Sequence, residues 1–216
     1  MKKAITLLVL FCIAACDQQK DTLTDKRDGK AYKTVKIGKQ VWMAENLNYE
    51  VDGNKCYNDS ISYCNKYGRL YNWATAMKAC PKGWHLPSNA EWDALYRFAD
   101  GTSGTDSPYE SETAVRHLKA ASGWYGDGNG EDTFGFSALP GGGGYSSGNF
   151  YDVGYYGNWW SASEIGSGYA YDRHIVYSND NKDYYGYESR DYHSDGIIHY
   201  YCYGKGCLFS VRCVRD

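Results

Sequence analysis

The stretch CPKGWHLPSNAEW (residues 80–92) is the junction on which the chain's organisation turns, ending one helix and opening another. Pro81 has no backbone N–H, and its ring excludes a continued helix. The helical spacing of Leu70, Trp73, Ala74, Met77 and Cys80 in LYNWATAMKAC (residues 70–80) therefore predicts a first helix that stops there. Ser88-Asn89-Ala90-Glu91 then has the form of a capping box, in which the Ser hydroxyl accepts from the third helical N–H and the Glu reaches back. Trp92, Leu95, Tyr96 and Ala99 share one face, which predicts a second, amphipathic helix over residues 89–99 that Gly101 stops. Trp84, Leu86, Trp92 and Leu95 are expected in the core. His85 is expected to be a buried, hydrogen-bonded imidazole.

Upstream, YKTVKIGKQVWMAENLN (residues 32–48) alternates Val35, Ile37 and Val41 around Gly38-Lys39, the pattern of a β-hairpin. Downstream, Val115 and Leu118 predict a third, shorter helix within residues 112–121. Beyond Gly123 the pattern changes. Residues 135–163 hold eight Gly and eight aromatics without a helical period, which predicts short strands joined by long loops. YAYDRHIVY (residues 169–177) and CLFSVRCVR (residues 207–215) alternate as strands do.

Lys2 and Lys3, an apolar run over residues 4–15 and small residues before Cys16 predict an export signal at 1–15. The run is too short to span a bilayer, which takes about 20 residues. Ile13-Ala14-Ala15-Cys16 resembles the bacterial lipobox, which implies cleavage before Cys16 and its acylation. DQQKDTLTDKRDGK (residues 17–30) has one large apolar side chain, Leu23, so residues 16–30 are expected to form a flexible tether and residues 31–216 the domain. Without Lys2 and Lys3 the balance is 21 basic to 26 acidic residues, and no basic stripe appears, so a nucleic-acid partner is not expected.

Six further cysteines, Cys56, Cys64, Cys80, Cys202, Cys207 and Cys213, read as a disulfide framework in an exported chain, with 15 possible pairings. Local spacing favours Cys56–Cys64 and Cys202–Cys207, leaving Cys80–Cys213 to close a loop of more than a hundred residues. By chain entropy such a closure stabilises by about 4–5 kcal/mol.

A hairpin, helices and then antiparallel strands with a long irregular insert define an α+β domain. With a bridge from the first helix to the last strand, this order resembles the C-type-lectin-like fold. CPKGWHLPSNAEW, GFSALPGGGG (residues 135–144), GNWWSAS (residues 157–163) and FSVRCV (residues 209–214) narrow the likeness. Together they resemble the Fibrobacter succinogenes major paralogous domain over residues 33–216, a bacterial domain of lipoproteins and exported proteins. The resemblance implies a lectin-like architecture on a lipid-anchored protein of the cell envelope, at the outer membrane or cell surface. Gly141 to Gly144 are expected to serve backbone geometry, since neither the Lys-Ser/Thr nor the helix of a phosphate loop follows.

The functional expectation is a noncatalytic binding or adhesion module, with glycan as the leading ligand class and a surface protein as the other. Tyr and Trp present flat apolar faces with polar edges, suited to stacking on sugar rings. The candidate contact residues are Tyr145, Tyr151, Tyr155, Tyr156 and Trp159 in the insert, and Tyr184, Tyr185 and Tyr187 in a later tyrosine cluster. Trp159 and Trp160 would point to opposite faces of a strand, leaving one for the core and one for loop or ligand. No cofactor is expected. The acidic loop at 127–132 only superficially resembles a calcium loop, because Asp132 stands at the sixth position, where glycine is required. The alternatives are a purely structural surface lipoprotein, or a copper-dependent oxidase similar to the formylglycine-generating sulfatase-modifying enzymes, using Cys202 and Cys207. His-Glu-x-x-His and Gly-x-Ser-x-Gly motifs are absent from the sequence.

Overall fold

The computed structural model describes residues 21–102, 111–177 and 202–216, with the backbone alone for Cys202 and Tyr203. The described chain enters through antiparallel strands β1 (Asp21–Thr24), β2 (Ala31–Ile37) and β3 (Gln40–Met43). The predicted hairpin is β2–β3, with Gly38 at φ 59° in its turn. β1 corrects the reading of residues 16–30 as a tether. A segment poor in apolar side chains can still join a sheet edge, because strand pairing uses backbone groups, and Asp21 to Thr24 pair with Thr34 to Ala31. Asp25, just beyond, is fully buried and accepts from the Arg27 backbone and guanidinium. That guanidinium also donates to the Ala79 carbonyl at 2.7 Å and lies over the Tyr49 ring. Residues 16–20 of the expected tether, with the lipidation candidate Cys16, and the signal at 1–15 lie outside the described residues.

β4 (Asn54–Lys55), a 3₁₀ turn (Tyr57–Asp59) and α1 (Ile61–Tyr67) follow. α1 has no counterpart in the sequence reading, since ISYCNKY lacks an apolar repeat; the Cys56–Cys64 disulfide fastens it to the residue preceding the turn. β5 (Leu70–Tyr71) takes the start of the predicted first helix. The Asn72 side chain accepts from the Thr75 N–H at 2.9 Å, so α2 runs only Trp73–Ala79. It buries Ala76 and Ala79, while Met77, expected inward, is 43% exposed. After β6 (Trp84–His85), α3 (Asn89–Asp100) carries both halves of its predicted capping box and ends at Gly101 in the left-handed region, φ 77°. α4 (Glu112–Leu118) is capped by Ser111. The described residues thus hold four helices, where two main helices and a shorter third were expected.

The insert carries β7 (Gly143–Gly144) and β8 (Phe150–Tyr151), then β9 (Tyr156–Ile165), β10 (Tyr169–Val176) and β11 (Cys202–Gly204). The predicted final strand is two, β12 (Phe209–Ser210) and β13 (Val214–Arg215), and each joins a different sheet. One sheet has the order β1-β2-β3-β13-β6 and the other β11-β10-β9-β12-β5-β4, with β7-β8 apart. Pairings are antiparallel except β12 beside β9.

Two cores flank the strands, because neighbouring side chains on a strand point to opposite faces. Trp42, Trp159 and Val214 enter a core with Trp92, Leu95, Tyr96 and Phe136. Met43, Trp160 and Cys213 enter a second core with Leu47, Tyr71, Phe209 and Val211. Both tryptophans of GNWW are therefore buried, and Trp159, expected at a ligand, is 1% exposed. The two faces were anticipated correctly; the first core, around Trp92 and Phe136, covers the face assigned to ligand. Gly157 permits this, since a Cβ there would lie 2.3 Å from the Trp159 ring and 2.8 Å from the Leu139 carbonyl. In the glycine run, Gly142 has φ 66° and a Cβ on it would meet the Tyr151 carbonyl at 2.4 Å, which agrees with a role in backbone geometry.

Of the three expected disulfides, Cys56–Cys64 and Cys80–Cys213 are formed. Cys207 is a free thiol, so the Cys202–Cys207 bridge is absent. Cys207 closes a turn with its N–H on the Gly204 carbonyl and packs against the second core, while Cys202 lies within β11 opposite Tyr171.

Candidate ligand-binding face

The insert is held from below by a buried polar hub. Asn46 Oδ1 accepts from Trp159 Nε1 at 2.8 Å and from Arg212 Nε and Nη2 at 3.0 and 2.6 Å. Asn46 Nδ2 donates to the Tyr67 carbonyl at 2.8 Å and Ser210 Oγ at 3.3 Å. Arg212 also donates to the Phe136 and Ser137 carbonyls, tying the insert to the residues between β12 and β13. Burial without a carboxylate partner pulls this guanidinium down to about 9.

Three tyrosines cluster where the insert meets the end of β10. Tyr125 and Tyr155 have ring centroids 4.5 Å apart at 30°, and Tyr177 stands edge-on to both, at 5.9 and 5.2 Å. Tyr125 is 57% exposed. Their loops are fixed by local bonds: Tyr125 N–H donates to the Gly154 carbonyl, and Trp124 Nε1 to the Ala138 carbonyl. Lys119 Nζ donates to the Tyr177 carbonyl at 3.0 Å and lies 4.6 Å above the Trp124 ring. Burial lowers this amine to about 8. A second pair, Tyr145 and Tyr151, has centroids 4.7 Å apart with Tyr145 48% exposed.

Of the expected contact residues, Tyr155 belongs to the stacked cluster, Tyr145 and Tyr151 form the second pair, and Tyr156 tilts against His174 at 6.0 Å. Trp159 belongs to the core, and Tyr184, Tyr185 and Tyr187 lie outside the described residues. Sequence reasoning missed Tyr125 and Tyr177. Tyr125 sits in the Gly-rich turn GWYGDG, the one local signal for it, and Tyr177 follows β10, where it reads as a strand residue.

The acidic loop spends its side chains internally. Asn129 Oδ1 accepts from the Trp124 N–H, Glu131 pairs with Arg116, and Asp132 accepts from the Ser137 N–H and hydroxyl. Among the described residues no group of three or more His, Cys, Asp or Glu converges as metal ligands. Burial and the nearby Asp172 push the Cys207 thiol up, the opposite of what a reactive thiolate needs. His85 is half-exposed rather than buried, and bonds Asp216 through Nδ1 at 2.6 Å and Glu91 through Nε2 at 2.7 Å. Burial pulls its pKa down, but these two carboxylates outweigh it and raise the pKa above 6.5.

These features define a mixed α+β domain fastened by two disulfides, bearing partly exposed tyrosines and, among its described residues, no metal cluster. Residues 35–215 match the Fibrobacter succinogenes major domain, and the chain belongs to that family. No curated protein and no solved structure matches it. No helix among the described residues is long and apolar enough to cross a membrane.

Proposed function

We propose that this protein is a noncatalytic binding module of the bacterial cell envelope, with a glycan as its ligand at the tyrosine face. The observation that carries the reading is the stack of Tyr125 on Tyr155, backed edge-on by Tyr177, with Tyr125 more than half exposed. Rigid exposed rings with polar edges suit a sugar's apolar face and cost little side-chain entropy on binding. Tyr145, Tyr151 and Tyr156 extend the aromatic surface of the insert. The lectin-like architecture belongs to this proposal; it is supported by β13 returning beside β3 and by the Cys80–Cys213 bridge across 133 residues. Export and acylation at Cys16 would hold the module on the outer membrane or cell surface, with a polysaccharide or a surface protein as partner.

The test is a glycan array probed with the oxidised chain and with a Tyr125→Ala/Tyr155→Ala variant. Aromatic stacking contributes about 0.5–1.5 kcal/mol per pair beyond area burial. The variant should therefore lose roughly 5- to 100-fold in affinity for one polysaccharide class while both disulfides still form. A blank array for the parent chain would defeat the glycan reading and point to a protein partner.

A further inference from the structure

A cleft of about 340 Å³, lined by none of the stacked tyrosines, lies between the start of β2, the segment that follows β3, the end of α1 and Ser137 and Leu139 of the insert. That volume lies within the range of small-molecule sites. Its lining is cationic in a chain of formal charge −3: Lys30, Lys33 and Lys66 against one carboxylate, Glu45. Lys30 is engaged, donating to the Asn48 carbonyl and lying 3.6 Å from Asp28. Lys33 and Lys66 are in no ion pair among the described residues, and Glu45 accepts from the Lys33 backbone N–H at 2.7 Å. The other polar lining is of neutral donors and acceptors: Asn46, whose side chain is engaged in the hub, with Asn48, Asn65 and Ser137. Asn48 Oδ1 is buried without a hydrogen-bond partner among the described residues, an acceptor whose desolvation is offset only by an incoming donor. The walls also include Tyr32 and Tyr67.

We propose that this cleft is a second saccharide site, selective for an acidic sugar, a uronate unit. Hydroxyl groups of such a sugar both donate, as Asn48 Oδ1 requires, and accept from the side-chain amides of Asn48 and Asn65, while Ser137 Oγ, whose proton goes to Asp132, can itself accept. Its carboxylate meets the ammonium groups of Lys33 and Lys66, with charge-assisted hydrogen bonds stronger than neutral ones. A bare inorganic anion would use the lysines and leave the amides idle. The site is separate from the tyrosine face and does not depend on it.

The experiment titrates the oxidised full chain with oligomers of galacturonate, glucuronate and mannuronate, each beside its methyl ester, and follows the side-chain amide resonances by NMR. At least one free acid should bind, shift the Asn48 and Asn65 amides and bind its ester at least tenfold more weakly. Lys33→Gln/Lys66→Gln should weaken the acid at least tenfold, and Tyr125→Ala/Tyr155→Ala should leave it unchanged. Three outcomes would overturn the proposal: absence of binding by every uronate, equal binding of acid and ester, or displacement by inorganic phosphate at equal concentration. If the tyrosine variant alone abolishes uronate binding, the acidic sugar belongs to the tyrosine face and the cleft assignment fails.

Discussion

Replacing Asn46 by Ala removes one acceptor shared by three buried N–H groups and two donor bonds, all inside the junction between sheets and insert. Arg212 retains the Phe136 and Ser137 carbonyls, so its charge is not wholly stranded, but Trp159 Nε1 has no other partner among the described residues. A buried donor left unpaired costs about 1–3 kcal/mol, more when it is charged. Summed over the Trp159 and Arg212 donors, Asn46→Ala should destabilise by about 4–6 kcal/mol, comparable with the whole stability of many domains. Asn46→Asp keeps the acceptor and places a carboxylate beside the buried guanidinium, but turns the 2.8 Å bond to the Tyr67 carbonyl into a contact between two acceptor oxygens. It should cost less than half as much. The assay is guanidinium unfolding of the oxidised protein followed by tryptophan fluorescence, read as a midpoint shift at unchanged slope. A loss below about 1.5 kcal/mol for Asn46→Ala would refute the hub as a source of stability.

Two pH dependences follow from buried or bridged groups. Lys119 is depressed in the folded state to about 8, so the unfolded chain binds more protons above that value and stability must rise with pH. The gain from pH 8 to 9.5 should be about 1.5 kcal/mol and should vanish in Lys119→Met; a flat profile in the parent would contradict the burial argument. His85 has the opposite sign: its raised folded pKa gives stability that is fully present below 6.5 and is lost as pH rises through the folded value. NMR titration of the His85 ring should give a midpoint above 6.5 that falls in Asp216→Asn, and a midpoint at or below 6.5 would show that the two carboxylates do not hold it.

What was legible in the sequence was what is encoded over a few residues. The Ser88–Glu91 capping box and the Gly38 turn are local chemistry, and both appear where their residues place them. Alternation likewise predicts the two faces of GNWW, but whether a face is covered depends on which segment arrives there, so Trp159 was assigned outward and is core. The Asn46 hub was invisible for the same reason, since its side-chain partners lie up to 166 residues away. Tyr125 and Tyr177 meet only because Gly128 brings its loop against the Tyr177 carbonyl, where a Cβ would lie 2.1 Å away. β1 was missed because a hydrophobicity argument does not see an edge strand held by its backbone.

The splitting of the last strand has a consequence for how the molecule is made. β13 sits between β3 and β6, and β12 between β9 and β5, so neither sheet has a continuous interior until residues 209–215 have been delivered. The helices and the β2–β3 hairpin can form as they emerge, but synthesis runs from the other end and leaves both sheets open along the middle. Cys80 must wait for a partner 133 residues further on. A chain stalled or trimmed short of Phe209 would therefore lose the keystone of both sheets at once, and one ending between Ser210 and Val214 that of the β1-β2-β3-β13-β6 sheet. Inspection of that late segment alone would tell a finished molecule from an unfinished one.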